Sequence, residues 1–130
     1  MNESIQYWVD LSDYDIDTAV AMLESKRYLY VGFMCHLAVE KMLKALFVKK
    51  MGEHPPKTHN LRMLAKKSGV DAQFTNEQMQ QLITLEALNI ESRYPTDKEK
   101  LAQSLTGERC TVILLQSREL LAWIRDRLKE

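Results

Sequence analysis

Hydrophobic residues recur at helical spacing along most of the chain, and no segment shows the two-residue alternation of a half-buried β-strand. The first stripe predicts an amphipathic helix that ends near Ser25, before Arg27. Its members are Ile5, Trp8, Val9, Ser12, Ile16, Ala19, Val20 and Leu23. Asp10, Asp13 and Asp17 lie elsewhere on the circumference, so one face is expected to be buried.

A second helix is predicted from about Tyr28 to Met51. Gly52 supplies a residue suited to a left-handed C-terminus, and Pro55-Pro56 prevents continuation. Its apolar residues occupy most of the circumference: Val31, Met34, Leu37, Ala38, Met42, Ala45 and Leu46. A helix this apolar is expected to be central and packed on more than one side.

Cap signals delimit two further helices. Thr58 is a plausible N-cap for a short helix over residues 60–67, which Gly69 closes. Thr75 is expected to cap a fourth helix, which carries several leucines and ends by Ser92.

The last helix is predicted to begin near Thr106 or Gly107. Its stripe consists of Ile113, Leu114, Ser117, Leu120, Leu121, Ile124 and Leu128. Together the patterns predict an all-α fold, an up-and-down bundle of four long helices plus one short helix. A length of 130 residues fits a single domain over residues 1–130.

Charge is balanced overall, with 18 basic and 18 acidic residues, but it is unevenly distributed. Residues 1–25 carry six acids and no Lys or Arg, whereas residues 26–67 carry ten basic residues against Glu40 and Glu53. The second segment can present a basic face to phosphate or to an acidic partner. The alternative is that solvated helix faces of opposite charge attract one another.

Cysteine usage and hydropathy predict a cytoplasmic protein. Cys35 and Cys110 lie in apolar helical stretches without Cys-x-x-Cys spacing, which favours buried, reduced thiols. The N-terminal residues lack a signal-peptide layout, and no apolar run approaches the length of a membrane span.

A polar stripe interrupts the predicted central helix. His36, Glu40 and Lys44 are spaced by four and share one face, with Lys41 as a neighbouring cation. On a surface helix they would form a solvated ion pair of about 0.3–0.5 kcal/mol. On a central helix such a stripe must face a partner, a cleft or a satisfied network, because burying unpaired charge is costly.

Two further segments carry candidate chemistry. His59 can bind phosphate, act as an acid or base, or simply hydrogen-bond a neighbouring carbonyl. The three histidines, His36, His54 and His59, lack a metal-ligand spacing, so no metal and no cofactor are expected. Arg93-Tyr94-Pro95 forms a rigid corner, in which Arg93 and Tyr94 either bind phosphate and stack on a base or form a salt bridge and pack against the bundle.

Three of these segments resemble the HEPN family. Residues 30–46, with Ala38-Val-Glu-Lys-Met-Leu-Lys-Ala, resemble the family's Ala-x-Glu-Lys-x-x-Lys-Ala helix, which usually has Gln at the position of His36. Residues 58–61, Thr-His-Asn-Leu, resemble its Thr-His-Asp-Leu, and residues 93–95 match its Arg-Tyr-Pro. The resemblance covers nearly the whole chain.

The resemblance implies a helical bundle that forms a homodimer. Many members pair with a minimal nucleotidyltransferase in toxin–antitoxin or related modules, and many are metal-independent endoribonucleases with an Arg-x4-6-His motif. Here the corresponding positions after Arg93 are Lys98, Glu99 and Lys100, so the motif's His is absent. Catalysis would need Arg93 with His59 or Tyr94.

The leading hypothesis is therefore a homodimer that binds nucleotide or RNA phosphate, or a nucleotidyltransferase partner. The predicted cleft comprises His36, Glu40, Lys41, Lys44, His59, Arg93 and Tyr94. An endoribonuclease toxin and a purely structural dimerisation module are the alternatives.

Overall fold

The computed structural model describes residues 2–91 and 93–130 and contains helices but no strand within them. The helices are α1 (Glu3–Glu24), α2 (Tyr28–Met51), α3 (Leu61–Lys67), α4 (Asn76–Ala87), α5 (Pro95–Ser104) and α6 (Gly107–Arg127). A single 3-10 turn, Asp71–Gln73, joins α3 to α4. The predicted all-α fold is confirmed.

Helix α2 is the centre of the molecule, as its apolar circumference predicts. It contacts all five other helices, most extensively α1 and α6. An unbroken run from Met42 to Val48 is buried, and it includes one charged residue, Lys44. On α1 the predicted stripe faces this core, and the hydroxyl of Ser12 donates to the backbone carbonyl of Ala38 at 2.7 Å. That buried hydrogen bond fixes α1 against α2.

Most of the predicted helix ends are observed. Gly52 closes α2 in the left-handed conformation, with φ of 69°. Thr75 caps α4 in a capping box with Gln78, and Thr106 caps α6. Ser92, where the sequence places the end of the fourth helix, lies outside the described residues; the helix itself ends at Ala87.

The predicted cap of the short helix is wrong by two residues. Asn60, rather than Thr58, is the N-cap of α3, and its side chain accepts a hydrogen bond from the backbone of Met63 at 3.0 Å. The Thr58 hydroxyl accepts from the backbone of Asn60 instead, at 3.1 Å. Thr58 therefore stabilises the turn that precedes the helix. Residues 52–60 form the connection between α2 and α3.

Helix α5 has no counterpart in the sequence prediction. Pro95 starts it at the first turn, a position that suits proline, and Tyr94 is its N-cap residue. It contains no fully buried residue, so it lacks the apolar stripe by which the other helices are recognised. The fold therefore has six α-helices rather than five in the described part of the chain.

Helix α4 reaches α2 because Gly32 has no side chain. A Cβ built on Gly32 would lie 2.8 Å from Cδ1 of Leu88, the buried residue that ends α4. This close approach brings the segment after α4 toward the polar face of α2. None of the helices in the described residues combines the length and apolar character needed to cross a membrane.

Candidate functional site

Three polar side chains lie together on α2, as their spacing by four predicts. His36, Glu40 and Lys44 are each less than one-tenth exposed. The Lys44 ammonium donates to Oε2 of Glu40 at 3.1 Å, and Nε2 of His36 lies 3.4 Å from Oε1. A carboxylate therefore sits between a cation and an imidazole inside the bundle.

A fourth side chain joins them from the connection between α2 and α3. Nδ1 of His59 lies 2.6 Å from Oε1 of Glu40, a short hydrogen bond to a charged acceptor. The side chain of His59 is 54% exposed, whereas that of Glu40 is 2% exposed. The Glu40 cluster, as we name His36, Glu40, Lys44 and His59, thus extends from the core to the surface.

The pKa of Glu40 shows that attraction to its three partners outweighs the effect of burial. Burial alone would raise that pKa, but the imidazoles of His36 and His59, together with the Lys44 ammonium, lower it from 4.5 to about 2. Glu40 is therefore a carboxylate at neutral pH. Removing any of these partners would leave part of a buried charge uncompensated.

His36 is the least satisfied member of the Glu40 cluster. Neither of its ring nitrogens has a hydrogen-bond partner among the described residues, although the residue is fully buried. Buried polar groups are nearly always paired, and an unpaired one costs about 1–3 kcal/mol. Nε2 faces Oε1 of Glu40 at 3.4 Å, longer than an ordinary hydrogen bond, and Nδ1 has no polar partner among the described residues. The imidazole therefore has hydrogen-bonding or ligating capacity that the fold uses only in part.

The Trp8 ring covers the cationic side of the cluster. The ammonium of Lys44 lies 5.4 Å from the centre of the Trp8 ring on α1, within range of a cation–π interaction. The ring of His54 lies 6.5 Å from that of Trp8. Lys44 is thus enclosed by Glu40 and Trp8 and is not available to a ligand at the surface.

Lys41 is directed away from the Glu40 cluster. Its ammonium pairs with the carboxylate of Asp15 on α1 at 3.3 Å. Burial raises the pKa of Asp15, and the Lys41 ammonium opposes that rise. Lys41 therefore connects two helices, and its inclusion among the predicted ligand-binding residues has no support in its contacts.

Arg93 and Tyr94 form no hydrogen bond or ion pair with the Glu40 cluster within residues 2–91 and 93–130. The guanidinium of Arg93 donates to the backbone carbonyl of Ala87, at the last turn of α4. Tyr94 is 76% exposed. In the segment after α4, the described residue that approaches the cluster is Glu91. Its carboxylate lies 3.9 Å from Nε2 of His59.

The fold creates a set of possible metal ligands that the sequence spacing did not show. One atom each from His36, Glu40 and His59 lie within 4.8 Å of one another. The pair His36 and Glu40 was visible as an i, i+4 pair, but His59 joins only because the α2–α3 connection folds back. Trp8, Asp15 and Glu91 were also missed, since nothing in their local sequence marks them.

Comparison with known proteins places this arrangement in a family. No curated protein sequence matches the chain. Among solved structures, the chain is similar to TT1696 from Thermus thermophilus, with a TM-score of 0.82, 19% identity, and coverage of 98% of this chain and 99% of that one. It is also similar to ST0689, an archaeal HEPN homologue, with a TM-score of 0.72, 15% identity, and the same coverage of the two chains, 98% and 99%.

These identities are too low to show more than a shared fold. The family assignment rests on the sequence itself, because the model of the HEPN domain matches residues 5–127. That span includes nearly all of the six helices and every member of the Glu40 cluster. The chain therefore belongs to the HEPN domain family.

Proposed function

We propose that this HEPN protein forms a homodimer and binds the phosphate of a nucleotide or an RNA, with His59 as the contacting group. The observation that carries the proposal is the hydrogen bond of 2.6 Å between the half-exposed His59 and the buried Glu40. Glu40 holds the half-exposed ring in one orientation, in which Nε2 is directed away from the core and lies 3.9 Å from the Glu91 carboxylate. A protonated imidazole held this way donates from Nε2 to a phosphate oxygen.

The surroundings supply further positive charge. Residues 26–67 carry ten basic residues against two acids, and three lysines that precede or follow His59 in the sequence, Lys57, Lys66 and Lys67, are exposed. Arg93 follows Glu91 by two residues, and its guanidinium, bonded in this structure to the Ala87 carbonyl, has planar donors that suit phosphate. Exposed cations of this kind bind phosphate without specifying a base, so a triphosphate and an RNA are both candidate ligands.

Calorimetry with a ribonucleoside triphosphate and a short single-stranded RNA tests the proposal. We expect His59→Gln to weaken binding by about tenfold or more, the loss of one charge-assisted hydrogen bond. His54→Gln is the matched control, since it removes a histidine outside the Glu40 cluster. Binding that is unchanged by His59→Gln and Arg93→Ala would show that the phosphate site lies elsewhere.

A second function, endoribonuclease activity, is favoured by the same hydrogen bond. In the neutral tautomer Nδ1–H donates to Glu40 and Nε2 carries a lone pair, which is the form a general base requires. Incubation of total RNA with the protein in EDTA tests this, with His59→Gln and Arg93→Ala as the comparison variants. Cleavage by the wild type alone would support the enzyme, and intact RNA across a broad pH range would exclude it.

The homodimer and the nucleotidyltransferase partner are separate parts of the proposal. One chain has a mass of 15.2 kDa, and light scattering of the purified protein should give twice that mass. Co-expression with a minimal nucleotidyltransferase encoded beside the gene, where one is present, tests the toxin–antitoxin arrangement by co-purification. A dimer that no nucleotide, RNA or such partner stabilises against heat would instead indicate a structural dimerisation module.

A further inference from the structure

The starting point is a buried imidazole that the fold leaves without a partner. His36 is fully buried, and neither ring nitrogen has a hydrogen-bond partner among the described residues. Its Nε2 nevertheless points to the Glu40 carboxylate, 3.4 Å from Oε1. With its proton on Nδ1, this imidazole would offer the Nε2 lone pair, and with the neighbouring carboxylate oxygen it would form half of a ligand set for a transition metal.

His59 completes a three-ligand set from a different part of the chain. One ligand atom from each of His36, Glu40 and His59 lies within 4.8 Å of the other two. The contacts with Oε1 of Glu40 are made by Nε2 of His36 and Nδ1 of His59. In a four-coordinate zinc site, bonds of about 2.0–2.2 Å place neighbouring ligand atoms about 3.4 Å apart. The separation of 3.4 Å between His36 and Glu40 already fits.

To make room for an ion, His59, the most exposed of the three ligands, must move. His59 and Glu40 are separated by 2.6 Å and must move apart by less than about 1 Å to admit an ion between them. His59 is half exposed and lies in the α2–α3 connection, so its ring can move without disturbing the core. The two buried ligands on α2 keep their places.

The carboxylate of Glu40 offers a free oxygen to an ion. Glu40 is buried between the two imidazoles, and its Oε1 faces both of them. Lys44 occupies only Oε2, at 3.1 Å, and leaves Oε1 for an ion while fixing the orientation of the carboxylate. When Nδ1 of His59 ligates a metal, its proton is on Nε2, which faces the Glu91 carboxylate at 3.9 Å.

We propose that the chain binds one divalent transition-metal ion, of the zinc class, through Nε2 of His36, Oε1 of Glu40 and Nδ1 of His59. Two imidazoles and one carboxylate select such ions over Mg²⁺ and Ca²⁺, which prefer oxygen ligands. The chain supplies three ligands, so a fourth, water or a phosphate oxygen, would complete a tetrahedral site. The idea that phosphate is the fourth ligand rests on the proposed function, whereas the three protein ligands of the metal do not depend on it.

Cobalt is the probe, because Co²⁺ in a four-coordinate site of nitrogen and oxygen ligands absorbs visible light and Zn²⁺ does not. The protein is first stripped of metal with a chelator, which is then removed. Titration with Co²⁺ should produce a saturable absorption at one ion per chain, and excess Zn²⁺ should abolish it. Absence of any such absorption, together with no heat of Zn²⁺ binding in calorimetry, would overturn the proposal.

Histidine variants locate the site, since the chain has only three histidines. His36→Gln and His59→Gln should each weaken Co²⁺ binding by about a hundredfold or more, while His54→Gln keeps wild-type affinity. Far-ultraviolet circular dichroism confirms that each variant is folded, and the exposed His59 supplies the decisive variant if His36→Gln is unstable. Equal loss in all three variants, or in none, would refute these ligands.

Inorganic phosphate then separates this inference from the proposed function. Zinc-loaded protein should bind phosphate more tightly than metal-free protein, because the ion adds positive charge at the fourth ligand position. Metal binding without phosphate binding in either form would uphold the ligand set and count against the proposed function. Equal phosphate affinity in both forms would refute phosphate as the fourth ligand.

Discussion

Nδ1 of His59 lies 2.6 Å from Oε1 of Glu40, so a half-exposed side chain is fixed to a fully buried one. The orientation of the surface imidazole therefore depends on a charge inside the bundle. That charge is held in turn by Lys44 from the next turn of α2, at 3.1 Å. A change at either buried residue should act on stability and on the surface site together.

Glu40→Gln should destabilise the protein strongly. The substitution keeps the shape of the side chain but leaves the ammonium of Lys44, which is 7% exposed, without its counter-charge. Breaking one partner of a buried pair costs about 3 kcal/mol, which urea unfolding measures. Asp126→Asn is the control: its pair with Lys129 is largely exposed, so less than about 1 kcal/mol is expected.

Acid should destabilise the wild type through Glu40. The pKa of Glu40 is about 2 in the folded protein and ordinarily 4.5, so the folded state binds fewer protons between these values. The contribution of Glu40 is present in full above the ordinary pKa and is lost as pH falls toward 2.

Urea unfolding of chelator-treated protein across this range should therefore show a flatter acid limb for Glu40→Gln than for the wild type. Asp15, whose pKa burial raises, changes stability in the opposite direction but is common to both proteins. Parallel acid limbs would show that Glu40 keeps its ordinary pKa in the fold.

Gly32→Ala should destabilise the contact between α2 and the end of α4. The added Cβ would lie 2.8 Å from Cδ1 and 3.2 Å from Cβ of Leu88, closer than van der Waals contact allows. Overpacking of this kind costs about 1–3 kcal/mol, although alanine favours helix over glycine by about 1 kcal/mol. A double-mutant cycle checks the cause, because Gly32→Ala should cost less in a Leu88→Ala background.

Thr75→Ala should lower stability by about 1 kcal/mol. It removes the hydroxyl that accepts from the backbone of Gln78 at 3.1 Å and breaks the capping box of α4. Thr96→Ala, at an exposed position in α5, is the matched control and should change stability by less than about 0.5 kcal/mol. Similar effects of the two substitutions would contradict a specific role for the cap.

The two thiols should be unreactive in the native protein. Cys35 and Cys110 are both fully buried, and burial raises the pKa of Cys35 to about 11, so little thiolate exists at neutral pH. A thiol-specific chromophoric reagent should detect no cysteine before denaturation and two per chain afterwards. Rapid reaction of one thiol without denaturant would show that the α2–α6 interface opens locally.

Most helices of this fold can be predicted because each has an apolar stripe and capping residues in its sequence. The bounds of α2, the Thr75 cap and the left-handed Gly52 all follow from local chemistry. Helix α5 does not follow, since its ten residues include no fully buried one and only the starting Pro95 marks it. A solvent-exposed helix leaves little periodicity in a sequence.

The candidate site is predictable only along a single helix. Spacing by four places His36, Glu40 and Lys44 on one face, and the structure shows them there. The addition of His59 depends on how the α2–α3 connection folds back, which no local pattern encodes. Lys41 shows how little adjacency in sequence determines: next to Glu40 in the chain, it pairs with Asp15 on α1.

The α2–α3 connection of residues 52–60 begins at the left-handed Gly52 and ends at the cap Asn60. Both flanking helices are closed by their own local interactions, so neither depends on the number of residues between them. His59 is the last residue before the cap, so the path of this connection sets where its imidazole meets Glu40. A change in the number of residues between Gly52 and Asn60 is therefore expected to displace His59 from Glu40, so that the length of a connection outside the helices controls the composition of the Glu40 cluster.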